Sequence, residues 1–274
     1  MLNQPQTYLF VPGNRPERFA KALASGADRV ILDLEDAVAP ADKAAARQAI
    51  TQWMAQASDE ARAQALVRIN AGDADDLALL HAVQARCVML PKCESPDQVA
   101  DVLAHMPAGA GVVALVETAR GLLALTSVAA APGVIRLAFG SLDYMVDLDL
   151  PASSMALDHA AAHIAVVSRA AGLPSPVAGV TPAIDQGQVT QDMLHARSLG
   201  FGAKMCIHPT QIAAVFAALA PAAADIAWAE RVLQAVQAGG AGAVQLDGKM
   251  VDRPVVLKAQ RILAQAARKP LNNP

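Results

Sequence analysis

The sequence predicts a closed (β/α)8 barrel that carries a C-terminal helix–hairpin–helix extension. Short apolar runs alternate with segments of helical periodicity, which is the pattern of a parallel sheet with helical crossovers. Eight such runs occur, and that number favours a closed barrel over an open sheet. Several runs are continuously apolar, as expected for strands that are covered on both faces. The length of 274 residues is normal for one barrel.

Each predicted strand ends in a polar or Gly/Pro-containing cluster, and a helical segment follows it. The predicted strands are Tyr8–Val11, Arg29–Leu34, Leu66–Ile69, Cys87–Leu90, Val112–Val116, Ile135–Phe139, Val177–Val180 and Ala203–Ile207. Ala/Leu-rich segments with helical spacing lie between them, among them Asp42–Ala57, Asp75–Ala85, Pro96–His105 and Asp158–Ala171. An open Rossmann-like sheet is the main alternative, but it would place GxGxxG after the first strand. The sequence there is PGNRPE, which favours the barrel.

The sequence changes character after the eighth strand. We therefore assign residues 1–210 to the barrel core and residues 211–274 to an extension that is not an independent domain. Residues 211–239 are Ala-rich and helical, and Gly239–Gly242 forms a flexible break. The segment Ala243–Val256 is predicted to be a hairpin around Asp247-Gly248, followed by a last helix, Val255–Arg268. The extension is too small for its own core, so we expect it to pack on the barrel or on a neighbouring subunit.

The composition excludes several classes of protein. Hydrophobic residues make up 54% and charged residues 17% of the chain, which supports a large core and argues against disorder. A net charge of −3 gives no reason to expect binding to nucleic acid or to an anionic membrane. The three cysteines form no CxxC pair, and neither an export signal nor an uninterrupted run of 18 apolar residues is present. We therefore expect a cytoplasmic protein without a membrane span.

Charged residues follow the predicted strands at the end where barrel enzymes carry their chemistry. They are Arg15, Glu35, Asp36, Arg68, Lys92, Glu117, Asp143 and His208. Converging charges are unfavourable to desolvate unless they pair or hold a metal. Glu117 and Asp143 follow neighbouring strands, so two carboxylates can present oxygen ligands to one divalent ion. Few protein ligands and no His/Cys cluster favour Mg²⁺.

Two further features favour the binding of an anionic substrate. Arg68 ends a strand in VRIN, where its guanidinium is able to hold a carboxylate or a developing enolate oxygen. The backbone N–H groups of Gly140, Ser141 and Leu142 turn at a strand end and can form a small nest for a substrate carboxylate.

Other interpretations of these residues stay open at this point. Glu117 can serve as a helix N-cap and Asp143 as a surface carboxylate, while Arg68 can form a structural salt bridge. Glu35 and Asp36 can favour a helix dipole. Lys92 is expected to form an ion pair rather than a Schiff base, and Cys206 to be a buried apolar residue. His208 can shape its loop or contact a ligand, and Asp252 can be a turn residue. The remaining histidines are expected at solvent-facing or core-edge positions without metal-binding spacing, and they are His81, His105, His159, His163 and His195.

Five segments together resemble the HpcH/HpaI aldolase and citrate lyase beta-subunit family. They are VPGNRPERFAKALASGADRVILDLEDAV, VRIN, ALVETARG, LAFGSLDY and KMCIHPTQI, and the resemblance covers essentially the whole chain in the same order. It implies a TIM barrel, Mg²⁺ dependence and the cleavage or formation of a C–C bond beside a thioester carbonyl. The substrates implied are citryl-, malyl- and citramalyl-type thioesters of coenzyme A.

The resemblance also implies roles for individual residues. Glu117 and Asp143 would be the metal ligands, and Glu35 and Asp36 would contact the metal through water or through its ligands. Arg68 would bind the substrate and stabilise its enolate, next to Glu117, Gly140, Ser141 and Leu142. The coenzyme A side would be lined by Arg15, Ile207, His208 and Pro209. The hairpin segment KMVDRPVV resembles a lid in which Asp252 acts as acid/base, often in the adjacent subunit of a trimer or larger homo-oligomer.

The chain departs from the family pattern at three positions. Leu142 stands where relatives often carry an acidic residue, Ala178 where they carry Asp, and Ala161 where they carry Arg. These departures leave the acyl group of the substrate open. The first hypothesis is a free-standing lyase or synthase that interconverts such a thioester with an acetyl thioester plus a 2-oxo acid. The alternatives are a malyl-CoA-type thioesterase on the same site, a citrate lyase beta subunit that uses an acyl-carrier protein within a complex, and, last, a non-catalytic binding module.

Overall fold

The computed structural model describes residues 4–151, 154–239 and 244–267. These residues form two compact units. The larger unit spans Pro5–Ala218, and the smaller one contains Gln4 and the described residues from Leu219 onward.

The larger unit is a closed barrel of eight parallel strands that pair in sequence order. The strands are β1 Thr7–Pro12, β2 Arg29–Asp33, β3 Ala65–Arg68, β4 Cys87–Leu90, β5 Gly111–Val116, β6 Val134–Phe139, β7 Val177–Ala178 and β8 Ala203–Cys206. Strand β1 pairs with both β2 and β8, which closes the ring. The predicted (β/α)8 barrel is confirmed, and each predicted strand agrees with an observed one to within two residues at either end.

Helices follow the strands of the barrel. They are α1 Phe19–Leu23, α2 Lys43–Gln56, α3 Asp59–Gln64, α4 Ala74–Ala82, α5 Pro96–Ala104, α6 Ala119–Leu123, α7 Leu125–Ala130, α8 Ser141–Asp147, α9 Met155–Ala170, α10 Gln186–Ser198 and α11 Gln211–Leu219, with 3-10 turns at Pro16–Arg18 and Pro40–Asp42. Local chemistry fixes several of their first turns. At α5, Ser95 and Gln98 form a reciprocal capping box and Pro96 opens the helix, so the chain stops being extended at that point.

The barrel interior explains which side chains reach its C-terminal rim. Inward-pointing residues alternate along each strand, and those in the core are Tyr8, Ile31, Leu66, Met89, Val113, Leu115, Ala138, Val177, Ala203 and Met205. Two residues after Ile31, Leu66 and Leu115, the same alternation brings Asp33, Arg68 and Glu117 to the rim. Polar residues at three inward positions, on the neighbouring strands β2 and β3 and directly after β5, therefore mark that rim as the functional end.

The smaller unit consists of α12 Ala223–Gly239, a hairpin of β9 Val244–Leu246 and β10 Lys249–Val251, and α13 Arg253–Ala266. Its own small cluster is formed by Ala229, Val232 and Ala259. The predicted Asp247-Gly248 turn is confirmed, with φ of 51° and 74° at its two residues. The prediction that the hairpin extends to Val256 is wrong, because α13 begins at Arg253. Ala243 lies outside the described residues.

Residues 211–238 contain an 18-residue window with a mean hydropathy of 1.8, which is apolar enough for a membrane span. One such stretch is weak evidence, and the chain divides it into α11 and α12. At 1.5 Å per residue these helices reach only about 14 Å and about 26 Å, less than the roughly 30 Å of a bilayer core. Helix α12 also carries Asp225, Glu230 and Arg231 within that stretch.

Candidate functional site

Glu117 is a buried carboxylate at the C-terminal rim, directly after β5. It is 1% exposed, and its Oε1 accepts a hydrogen bond from the backbone N–H of Lys92 at 2.8 Å. Its side chain packs on Gly140, where an added Cβ would lie 2.6 Å from Glu117 Cβ. Glycine is therefore required at position 140 by close approach. The N-cap interpretation of Glu117 is wrong, since Thr118 caps α6 by accepting from the N–H of Gly121 at 3.0 Å.

Asp143 is the third residue of α8, which begins immediately after the Gly140 position that follows β6. It is half-buried, and its charge acts on Glu117. The structure thus brings together the two carboxylates that the sequence predicts to meet.

The pKa of Glu117 is raised to about 8. Burial is the largest cause, and the negative charges of Glu35 and Asp143 add to it. The hydrogen bond from the Lys92 backbone and the charge of Lys92 act in the opposite direction. The negative charges of the neighbouring carboxylates therefore outweigh the effect of Lys92 on the pKa of Glu117.

Arg68 is held by Asp33, a residue that the sequence analysis did not single out. The Arg68 Nε lies 2.7 Å from Asp33 Oδ1, and Nη2 lies 2.7 Å from Oδ2. The two residues are direct register partners on β2 and β3, and Asp33 is fully buried. The ring of Phe10 lies 4.7 Å from the Arg68 guanidinium carbon. The structural salt bridge suggested for Arg68 therefore exists, and it fixes the guanidinium at the rim.

Glu35 lies between Arg68 and Lys92. Its Oε1 accepts from Lys92 Nζ at 2.8 Å. Its Oε2 lies 2.8 Å from Arg68 Nη1, an ion-pair distance, but the angles are not those of a hydrogen bond, so this buried oxygen lacks a hydrogen-bond partner. Burial raises the pKa of Glu35, against the opposing effects of Arg68 and Lys92. These contacts, rather than a helix dipole, account for Glu35, whereas Asp36 is exposed and lies 3.8 Å from Arg68.

Lys92 forms the predicted ion pair with Glu35. Its backbone is in the left-handed region, with φ of 45°, which is unfavourable for a residue with a side chain. This conformation lets the backbone N–H bind Glu117 while the ammonium binds Glu35. Backbone strain of this kind persists where surrounding contacts hold it in place.

The donor set fits a divalent cation. Five carboxylates, those of Asp33, Glu35, Asp36, Glu117 and Asp143, share the rim with the two cations Arg68 and Lys92. All the available donors are hard oxygens, and one of them, Glu35 Oε2, lacks a hydrogen-bond partner. No group of three or more His, Cys, Asp or Glu residues forms a metal cage within the described ranges. Two carboxylates with water or substrate completing the shell is the arrangement typical of Mg²⁺.

The predicted backbone nest is partly wrong. The N–H of Gly140 donates to the carbonyl of Val116 at 2.9 Å, so it is not available to a substrate. Ser141 and Leu142 are the first residues of α8, and first-turn N–H groups have no acceptor within their own helix. A role for these two N–H groups in binding a substrate carboxylate stays a prediction.

The positions predicted for the coenzyme A side follow two adjacent strands, β1 and β8. Arg15 is exposed, and its Nε lies 2.6 Å from Glu17 Oε1. The N–H groups of Ile207 and His208 donate to the side chain of Gln211, at 2.8 and 3.3 Å. Gln211 is 1% exposed and also donates to the carbonyls of Thr181 and Ala183. The turn that contains Pro209 is thus fixed by a residue that the sequence analysis missed.

Asp252 belongs to the smaller unit and is exposed. It is the N-cap of α13, accepting from the N–H of Val255 at 3.2 Å, rather than a turn residue. Its acid/base role stays a prediction.

Two remaining predictions have different outcomes. Cys206 is buried and its pKa is raised to about 12 by that burial, which fits an apolar role. The prediction that the histidines have no metal-binding spacing overlooked one pair, His159 and His163, which lie four residues apart on α9 with ring centroids 6.3 Å apart. No group of three or more His, Cys, Asp or Glu residues that could hold a metal occurs among the described residues. His195 forms an ion-pair contact of 2.7 Å with Asp158.

Comparison with known proteins agrees with this geometry. The family model HpcH/HpaI aldolase/citrate lyase matches residues 6–209. A citrate lyase subunit beta-like protein of Mycobacterium tuberculosis is 38% identical over 270 residues, covering 94% of each chain. A (3S)-malyl-CoA thioesterase of Cereibacter sphaeroides is 30% identical over 274 residues, covering 95% of this chain and 94% of the relative.

A solved structure is similar over nearly the whole chain. It is the crystal structure of protein CitE from Mycobacterium tuberculosis in complex with magnesium, acetoacetate and coenzyme A. It has a TM-score of 0.86 and 36% sequence identity, and the match covers 98% of this chain and 100% of that one. The chain therefore belongs to the HpcH/HpaI aldolase/citrate lyase family of carbon–carbon lyases.

Proposed function

We propose that this protein is a Mg²⁺-dependent lyase that cleaves, or in reverse forms, a 3-hydroxyacyl thioester bearing a carboxylate. The products of cleavage are an acetyl thioester and a 2-oxo acid, and the substrates proposed are of the citryl-, malyl- or citramalyl-CoA type. The main support is the group of carboxylates around Glu117 and Asp143, together with the Arg68 guanidinium, which lies 2.8 Å from Glu35 of that group. The complex of CitE with magnesium, acetoacetate and coenzyme A supports the same ligand classes.

We assign the metal to Glu117 and Asp143. A bound Mg²⁺ would supply positive charge that polarises and orients an oxygen of the substrate. Burial and neighbouring carboxylates raise the pKa of Glu117, so this residue gains most from a cation. Glu35, with one oxygen that lacks a hydrogen-bond partner, would bind a water of the same site.

Arg68 is assigned to the thioester enolate. A guanidinium carries five N–H donors, and Asp33 accepts two of them. The remaining donors include those of Nη1, which Glu35 Oε2 approaches without hydrogen-bond geometry. Because Asp33 accepts from only two of these donors, Arg68 is held in one orientation and can still donate to an oxyanion.

Cleavage of the C–C bond in the thioester requires one proton transfer to a base and one from an acid. In cleavage a base takes the proton of the substrate hydroxyl, the C–C bond breaks, and its electron pair passes into the thioester as an enolate beside Arg68. An acid then protonates the enolate carbon to give the acetyl thioester. We assign that acid to Asp252, supplied by the same or by an adjacent subunit of a trimer or larger homo-oligomer.

We further propose that the thioester is a coenzyme A ester, with Arg15, Ile207, His208 and Pro209 along its path. The turn after β8 is rigid because Gln211 binds two of its N–H groups. We also propose a cytoplasmic location, which agrees with three free thiols at Cys87, Cys93 and Cys206.

A panel of acyl thioesters, with Mg²⁺ and with EDTA, tests this function. The 2-oxo acid and the free thiol are measured separately for malyl-, citramalyl- and citryl-CoA. We expect Mg²⁺-dependent release of a 2-oxo acid without a matching release of thiol. Turnover that survives removal of all metal, or silence across the panel with both CoA and acyl-carrier thioesters, would contradict the proposal.

A thioesterase is the second candidate, and it is favoured by the relative named (3S)-malyl-CoA thioesterase. Water rather than the C–C bond would then be the target, and free thiol would appear without a 2-oxo acid. The same assay separates the two reactions, because each product is measured independently.

A further inference from the structure

A cavity of about 700 Å³ lies outside the barrel wall, between strands β6–β8 and helices α8–α10. Its volume is within the range of about 300–1,000 Å³ typical of small-molecule sites. Ser141 and Gly179 line the end that is nearest to the barrel rim, whereas Glu117 and Asp143 do not line the cavity. The cavity therefore adjoins the candidate site through Ser141 and Leu142 but does not contain the proposed metal ligands.

The walls of the cavity are mainly apolar. Large side chains that line it include Phe139, Leu142, Met145, Leu157, Leu199 and Phe201. Leu142, Ala161 and Ala178 line it as well. Each places an apolar or small side chain on the wall, which leaves room for an apolar ligand.

Lys204 places a positive charge on the wall of the cavity that the barrel strands form. Residues Ala203 and Met205 point into the barrel, so Lys204 between them points outward, where it lines the cavity. Lys204 is 3% exposed, and its Nζ donates to the carbonyl of Gly179 at 2.7 Å. Among the ion pairs between described residues, none involves Lys204. Burial lowers the pKa of Lys204, and the negative charge of Asp192 opposes that shift.

The acidic groups of the cavity have other partners. The two oxygens of Asp192 accept from Thr181 Oγ1 at 2.6 Å and from Gln188 Nε2 at 2.7 Å. Asp158 lies 2.7 Å from the imidazole of His195 at an exposed position. Asp192 acts on Lys204 by charge from beyond ion-pair distance, and the ammonium donates to the carbonyl of Gly179. A buried ammonium in this position favours an incoming anion.

We propose that this cavity is a binding site for a small carboxylate with a compact apolar body. The carboxylate pairs with the ammonium of Lys204, and the apolar body packs against the walls formed by α8, α9 and β7. The site takes its ligand without the metal. It is therefore distinct from the site at Glu117 and Asp143, and its test does not depend on the proposed lyase activity.

Calorimetric titration of the full chain in EDTA tests the proposal, with cyclohexanecarboxylate as the probe. Acetate presents the charge without the body, and cyclohexylmethanol presents the body without the charge. We expect cyclohexanecarboxylate to bind at least tenfold more tightly than either. Absence of binding, or binding that requires added Mg²⁺ and so belongs to the metal site, would overturn the proposal.

Two variants separate the charge from the volume. Lys204→Met keeps the aliphatic stem, and we expect it to bind cyclohexanecarboxylate at least tenfold less tightly with little change for cyclohexylmethanol. Ala178→Leu fills the cavity and should weaken both ligands at least tenfold. Ala130→Leu, at an exposed position of α7, is the matched control and should change neither affinity. Unchanged binding of cyclohexanecarboxylate in folded Lys204→Met or Ala178→Leu would exclude the site.

Discussion

Asp33 holds the guanidinium of Arg68 with both of its carboxylate oxygens, each at 2.7 Å, across the register pair that joins β2 to β3. Asp33 also accepts the N–H groups of Glu35 and Ala37, at 3.0 and 3.1 Å. One buried carboxylate thus fixes both the cation of the site and the turn that carries Glu35. We regard Asp33 as a positioning residue, because it acts on the substrate through Arg68.

Replacement of Asp33 by Asn should impair turnover more than substrate binding. The variant keeps the shape but removes the charge that orients Arg68. We expect kcat to fall about 100-fold with a smaller change in KM, and the free energy of unfolding to fall by about 3 kcal/mol. Steady-state kinetics and urea denaturation measure the two effects. Arg68→Lys combined with Asp33→Asn should be less than additive, whereas full additivity would show that the pair does not act as a unit.

The stability of the metal-free protein should fall as the pH rises from about 5 to about 8. The pKa of Glu117 is raised from 4.5 to about 8 in the folded chain, so the native state binds more protons than the unfolded state between these values. The loss should be on the order of a few kcal/mol and should be reversed by Mg²⁺. Denaturation in EDTA at several pH values measures it. The Glu117→Gln variant should lack this component, and an identical pH profile for both proteins would contradict the assignment.

Gly140→Ala should disable the metal site while leaving the barrel folded. The new Cβ would lie 2.6 Å from Glu117 Cβ, so the Glu117 side chain must move. A displacement of about 1 Å is enough for a loss of about 100-fold in kcat/KM. Kinetics and Mg²⁺ titration measure the effect. The control is Gly187→Ala in α10, where the added Cβ meets only the end of the Asp185 side chain, at 3.1 Å. Equal activity in the two variants would refute the role of the Glu117–Gly140 contact.

Asp252 variants separate a helix cap from an acid/base group. Asn is as good an N-cap as Asp, so Asp252→Asn should keep the stability of α13 and lower kcat at least about 100-fold. Asp252→Ala should show the same kinetic loss together with about 1 kcal/mol of destabilisation. Thermal melts and kcat distinguish the two effects. A fully active Asp252→Asn protein would limit Asp252 to its cap.

The strands could be predicted because parallel strands covered on both faces appear as short apolar runs. The meeting of Glu117 and Asp143 followed from the same reasoning, since neighbouring strand ends share one rim. The Asp33–Arg68 pair could not be derived in this way, because it depends on the register between β2 and β3. The loss of the Gly140 N–H to Val116 also depends on pairing between strands rather than on local sequence.

Other differences were readable from local chemistry. Asp252 followed by Pro254 is a helix start, with an N-cap and a proline in the first turn, and it explains why the hairpin ends at Val251. His159 and His163 are spaced by one helical turn, so their proximity on α9 was visible in the sequence. The position of Lys204 on the cavity wall could not be predicted, because the sequence of an apolar strand does not indicate what packs against its outward face.

Strand β7 contains only two residues, and it shares a single registered pair with β6. Its amides are therefore secured by fewer ladder bonds than those of β1 or β5, which run for six residues each. Local opening free energies are lowest where backbone bonds are few, so we expect the amides of Val177–Ala178 to exchange with deuterium before those of the longer barrel strands, which hydrogen–deuterium exchange measures. Transient local opening of the barrel is therefore expected to occur mainly at β7.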